Sequence, residues 1–292
     1  MALAERAALG RRKRSGLIAE GMARAAFLAA TLVGLIALAA LIYTVLEQGA
    51  GQVDGPFIRN FASRIPERAG IWPPLVGTLW LMGLVTMAAF PLGVGAAIYL
   101  EEFAPKNRWT AAIETNIANL AAVPSIIYGL LGLAVFYRAL GMGRSLITGA
   151  LTLALLVLPV IIIAAREALR AVPQSIRSGA MALGSTRWEA VYKLVLPAAV
   201  PGIMTGAILG LSRAIGETAP LLVAGAAAFV AFTPDSLLDA YTALPIQIFD
   251  WVRRPQQEFQ SLAAGAILVL LAVLLTMNAV AIIVRNRYGR EK

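Results

Sequence analysis

Apolar residues fall along this chain in six long runs, separated by short polar or basic islands. A helix crosses the hydrocarbon core of a membrane with about 20 residues, and every run is that long. The runs are Ala25–Val45, Leu75–Leu100, Ile117–Tyr137, Ser145–Ala165, Ala198 to about Leu222, and Phe259–Val284. Pro124 is expected to kink the third run and free a carbonyl. The uncharged sixth is long enough to tilt. The segments 47–74 and 223–258 are too short for a soluble domain, and no convincing internal repeat is visible. The pattern predicts an all-α polytopic membrane protein, with a basic tail 1–24 and a six-span unit 25–292.

Charge then orients the bundle. The chain carries 25 Lys+Arg and 16 Asp+Glu, a net +9, yet only 14% of its 292 residues are charged. A soluble surface needs roughly 25%, so the surplus is not a nucleic-acid footprint, and no nucleic-acid partner is expected. Basic residues favour the cytoplasmic side. With the N-terminus inside, that side receives Arg6, Arg11, Arg12, Lys13, Arg14 and Arg24 from the tail, and Lys106 and Arg108 after the second run. It also receives Arg166, Arg170, Arg177, Arg187 and Lys193 after the fourth, and Arg285, Arg287, Arg290 and Lys292 at the end. The other side receives Arg59, Arg64, Arg68, Arg138, Arg144, Arg253 and Arg254. Both termini are therefore expected in the cytoplasm. Leu46-Glu47-Gln48 is a poor cleavage site, so the first run reads as a retained anchor. Trp72 and Trp251 fit outer interfacial anchors.

The chain has no Cys and no His. Disulfides, thiol nucleophiles, imidazole proton shuttles and the common zinc motifs are closed to it. No phosphate-binding GxxxxGK[ST] loop occurs. Neither an enzyme nor a bound cofactor or metal is expected.

The loop of about 167–197 is the most structured polar segment. Pro173 can open a helix and Gly184 can close it as the residue past its C-terminus. Ser185 or Thr186 can cap the next, where Trp188, Val191, Tyr192 and Val195 recur at helical spacing. This hairpin on the inner face is either a plain interfacial element or a docking element whose small Gly179, Ala180 and Ala182 fit a partner's groove. It resembles the coupling loop of bacterial ABC importer permeases, E-A-A-x3-G-x9-I-x-L-P. Ala180, Gly184, Leu196 and Pro197 keep the register, while Ser178 stands for the Glu, Gly179 for the first Ala and Leu194 for the Ile. The resemblance implies the type I permease architecture, and a separate cytoplasmic ATPase dimer docked on Gly179, Ala180, Met181, Ala182, Leu183 and Gly184.

The fifth run carries Gly202, Gly206 and Gly210 together with Arg213 and Glu217. At about 100° per residue all five share one helical face. That face is expected to point into the bundle or toward a partner permease. Arg213 and Glu217 are either a structural ion pair or an anion-handling device, Arg213 offering a planar fork of donors to an oxyanion. Residues 212–225, the segment Ala243–Phe259 and the pair Gly77-Thr78 resemble the PstA-type permeases of bacterial phosphate ABC importers. That resemblance implies inorganic phosphate as cargo. Its implied partners are a second permease subunit of the PstC type, the ATPase dimer, an external phosphate-binding protein and the lipid bilayer of the bacterial inner membrane. The implied pathway residues are Arg213 and Glu217, with Ser125 and Tyr128 as further candidates lining span three. A permease for sulfate or molybdate, or a self-sufficient transporter using Glu217 as proton carrier, are the alternatives. Asn116 and Asn119 are expected to bond across helices, and the acidic residues of the last outer loop could meet the delivery protein.

Overall fold

In the computed structural model the backbone is described for residues 2–227, 229–230 and 232–289, and the side chains for 20–287 within these. The described residues form twelve α-helices and no strand. In chain order they are α1 (Ala2–Gly49), α2 (Gly55–Arg59), α3 (Trp72–Ile98), α4 (Arg108–Ala121), α5 (Ser125–Gly132) and α6 (Leu146–Arg170). Then come α7 (Gln174–Ala182), α8 (Arg187–Ala190), α9 (Leu196–Ile215), α10 (Ala219–Val223), α11 (Leu244–Val252) and α12 (Gln257–Gly289). Wide π-helical turns extend α3 through Tyr99–Phe103 and α5 through Leu133–Ala139, and a third, Val191–Val195, joins α8 to α9. Five of the resulting rods are long and apolar enough to cross a membrane: Glu20–Gln52, Trp72–Phe103, Leu146–Arg170, Arg187–Ile215 and Gln257–Arg287.

The predicted third span is the exception. Arg108–Ala121 and Ser125–Ala139 meet at a 102° bend and count as a sixth span only when taken together. Pro124 therefore makes a corner rather than a kink. Its ring and missing N–H stop α4 from continuing, and the Tyr128 hydroxyl donates to the carbonyl of Leu120 at 2.9 Å, pinning the corner from the far side. Asn116 and Asn119 on α4 are exposed rather than bonded across helices.

Helix α6 is the centre of the bundle, with α3 on one side and α9 on another. Apolar burial gains little between helices in lipid, so close backbone approach has to hold them. Gly202 lies against Ala168, Gly206 against Ala164, and Gly210 against Val157 and Ile161. A Cβ at 202 would stand 2.7 Å from that of Ala168. The glycine stripe thus faces α6 of the same chain, not a partner permease. Helix α1 stands at the edge and packs along α12, where Gly49 meets the backbone of Ala264 and Gly265. It runs without a break through the segment 2–24 set apart as a tail.

At one end of the bundle a cap forms from α2, α11 and the starts of α3 and α12. Trp251 is fully buried there between Phe57 and Phe259, with ring centroids 6.2 and 6.3 Å away. It is a core residue, not the interfacial anchor expected of it. Gly77 lets the carbonyl of Thr242 approach α3, and the Thr78 hydroxyl accepts the N–H of Leu244 at 2.8 Å. The first N–H groups of α6, at Leu146 and Ile147, donate to the carbonyls of Asp239 and Leu237, both at 2.9 Å. The opposite end gathers the C-termini of α3, α6 and α12 and the start of α9, with Arg285 donating to Thr205 at 3.1 Å. The side chains of Arg6, Arg11, Arg12, Lys13, Arg14, Arg290 and Lys292 lie outside the described residues.

Candidate translocation and coupling sites

Gly210 meets α6 at its middle, beside Val157 and Ile161. Five residues later, about 8 Å at 1.5 Å per residue, α9 ends at Ile215. It stops within the bundle core, since Ala214 and Ile215 are buried in one cluster with Leu153, Leu156 and Val157. Pro220 explains the early stop: it has no N–H to continue the ladder, and its ring would strike the carbonyl of Gly216. The last N–H groups, of Gly216 and Glu217, fall back on Arg213 and Ala214 carbonyls, both at 3.2 Å. The chain restarts as the short α10, which crosses α5 where Gly129 meets the backbone of Pro220. The sequence-based helix to Leu222 is therefore two helices, and Glu217 sits past the end of α9 rather than on its wheel.

The break brings Arg213 and Glu217 together all the same. Arg213 Nε donates to Glu217 Oε1 at 3.3 Å, with 53% of the Arg213 side chain exposed against 16% for Glu217. Tyr128 shares the buried cluster of Ala214, Ile215 and Leu221. Its hydroxyl is occupied by Leu120. Ser125 is half-buried in the first turn of α5.

The hairpin forms as its punctuation dictates. Gly184 takes φ +89°, its N–H donates to Met181 at 3.0 Å, and that of Ser185 to Ala180 at 3.1 Å. These two bonds make a complete Schellman close for α7. Thr186, not Ser185, caps α8, and Glu189 returns the bond to its N–H at 3.1 Å. The aromatic-aliphatic stripe does not stay on one face. Through the π-helical turn Val191 and Val195 go inward, while Trp188 and Tyr192 stack outside at 6.2 Å. With Met181 and Leu183 they leave an apolar, exposed tip. Ser178, in place of the motif Glu, donates to the Gln174 carbonyl at 3.1 Å.

One cluster was not anticipated. Glu101 and Glu102 are adjacent in the π-helical end of α3 and point to different elements. Glu101 accepts from Arg170 at 2.9 Å and Arg166 at 3.4 Å, and Arg166 also reaches Glu114 of α4 at 2.6 Å. Glu102 takes Arg177 of α7 through two nitrogens, Nε lying 3.1 and 3.2 Å from its oxygens. Arg177 also donates to the carbonyl of Leu169 in the last turn of α6 at 2.9 Å and to that of Val172, between α6 and α7, at 2.7 Å. The only available sequence signal was an acidic doublet at the end of one span facing arginines at the end of another.

Residues 89–288 match the family described as "Binding-protein-dependent transport system inner membrane component". The chain belongs to that family. This permease is 33% identical over 276 residues to the phosphate transport system permease protein PstA 1 of Mycobacterium tuberculosis, covering 92% of this chain and 89% of that one. It is 37% identical over 213 residues to the probable ABC transporter permease protein YqgI of Bacillus subtilis, covering 72% and 70%. To the probable PstA of Methanocaldococcus jannaschii it is 32% identical over 249 residues, covering 85% and 87%. Its fold matches a chain of the inward-facing MetNI methionine ABC transporter, with a TM-score of 0.62 at 16% identity, over 75% of this chain and 98% of that one. The permease is thus a multi-pass membrane component of an ABC importer, a class that works with an ATPase and a substrate-binding protein.

Proposed function

We propose that this permease carries inorganic phosphate, as one half of a translocation pathway completed by a second, PstC-type permease. An ATPase dimer docks on the α7–α8 hairpin, and an external phosphate-binding protein delivers to the opposite end. Both termini lie in the cytoplasm, the reading that the distribution of basic residues supports. The names of the relatives support the cargo. One observation carries the site: an Arg more than half exposed at the end of a helix that stops within the bundle. A charge facing lipid at such depth costs roughly 2.5–3.5 kcal/mol on insertion scales. That surface therefore faces an aqueous pathway or the second permease. There the fork of Arg213 binds phosphate oxygens, and Glu217 holds the guanidinium between passages.

Arg213→Ala should lower phosphate uptake roughly 10- to 150-fold, the loss of charge-assisted hydrogen bonds, while the complex still assembles with its ATPase. Uptake assays on reconstituted complex, with assembly checked by copurification, test this. An assembled variant with wild-type uptake overturns the site. Uptake by the purified chain alone, driven by a proton gradient, overturns the ABC reading, and preference for sulfate or molybdate overturns the cargo.

A further inference from the structure

Arg177 is the only charged residue of α7, and it turns away from the exposed tip toward the bundle. Its neighbours Ser178, Met181 and Leu183 face outward. The docking surface of the helix is consequently uncharged, and its one strong bond runs to α3. We infer that the Arg177–Glu102 pair is the rigid link that carries movement of the docked hairpin into the membrane bundle. This rests on the ABC-permease reading above and names how that machine is joined.

Three features fit a link rather than a passive contact. The pair is two-pronged and buried, 13% and 4% of the two side chains being exposed, so water does not loosen it. Arg177 holds the carbonyl of Leu169 in the last turn of α6 with the same guanidinium, and that of Val172 in the link beyond it, so α3, α6 and α7 meet at one group. Glu101, beside Glu102, clamps α3 to α6 and, through Arg166, to α4. A push on α7 therefore reaches three membrane elements without a flexible joint between them. Arg177 and Glu102 are positioning residues; neither is placed at the anion.

The chain contains no Cys, so two thiols can be introduced cleanly. The experiment uses the whole complex in proteoliposomes, with binding protein and phosphate outside and ATP inside. The double variant Glu102→Cys, Arg177→Cys should retain its ATPase and hydrolyse ATP, while phosphate moved per ATP falls about tenfold, within the usual range of coupling effects. A short bifunctional thiosulfonate joining the two thiols should restore the wild-type ratio, and each single-Cys variant should ignore the reagent. An unchanged ratio before linking overturns the inference, as does a ratio that linking does not repair. Loss of the ATPase from the unlinked variant also overturns it, by making the pair a docking contact. A wild-type complex that hydrolyses ATP but moves another anion overturns the phosphate reading alone, and the link is then scored on that anion.

Discussion

Arg213 meets Glu217 through a single nitrogen at 3.3 Å, in a place where half of the arginine is open. Arg177 meets Glu102 through two nitrogens, holds two main-chain carbonyls as well, and is almost closed off. Both pairs join residues of the same two types near helix ends. Their surroundings assign them opposite mechanics. The first can open at little cost, since the freed guanidinium has solvent or an anion to turn to. The second cannot open without stranding a buried carboxylate and stripping the guanidinium from the carbonyls of Leu169 and Val172. The proposed transport cycle uses both kinds: a site that releases its partner on each passage, and a joint that does not.

The largest expected effect separates the two directly. Glu102→Ala leaves Arg177 buried without its counter-ion, a defect that costs roughly 3–5 kcal/mol. The purified complex should melt markedly earlier, and cross-linking Glu102→Cys to Arg177→Cys is the less damaging way to question the joint. Thermal unfolding in detergent reads this out. If Glu102→Ala melts with wild type, the pair is not held as its geometry implies, and the contrast collapses.

Gly184→Val is expected to fall next. No atom lies within 4 Å of where the first side-chain carbon would stand, so the cost is conformational and not steric. A β-branched residue at φ +89° costs roughly 1–3 kcal/mol, and the Schellman close of α7 would reshape to avoid it. The exposed tip then presents Met181 and Leu183 differently, and retention of the ATPase on the purified permease should weaken. Full retention, with transport intact, would remove the hairpin's assigned role while leaving the Arg177–Glu102 joint to be judged separately.

Much of this contrast was legible only on one side. The pair at 213 and 217 announces itself in sequence, because charges in an apolar run are rare and a spacing of four brings side chains together. The Gly184 turn and the Thr186 cap were legible too, since both depend on residues within five positions of each other. Glu102 and Arg177 are 75 positions apart, and nothing local marks them as partners. Each also reads simply on its own, Glu102 as a charge closing a span and Arg177 as one of several bases in a polar loop. The extent of α9 was misjudged for a different reason. Apolar residues resume at Ala219–Val223 after the short break Gly216-Glu217-Thr218, so the run reads as one span, and the backbone consequence of Pro220 ends the helix early. The corner at Pro124 was underestimated likewise: a proline predicts a kink, but the 102° turn depends on Tyr128 holding Leu120 across it.

The smallest stability effect is expected at the other pair, and it is the one that sharpens the comparison most. Glu217→Gln removes a charge from a partly exposed, single-contact pair, and such pairs contribute about 1 kcal/mol or less. The melting temperature should therefore barely move, in contrast to Glu102→Ala. Transport should not be so indifferent. On the proposed reading, Arg213 without the carboxylate loses the group that competes with phosphate for its guanidinium. Phosphate then leaves Arg213 more slowly, so the maximal uptake rate should fall with no rise in the phosphate concentration giving half-maximal uptake. Initial-rate uptake over a range of phosphate concentrations, paired with thermal unfolding of the same preparation, checks both halves. A large loss of stability would make Glu217 a structural partner like Glu102. Unchanged kinetics would show that Arg213 needs no partner between passages, and the Arg213–Glu217 pair would reduce to a lone arginine.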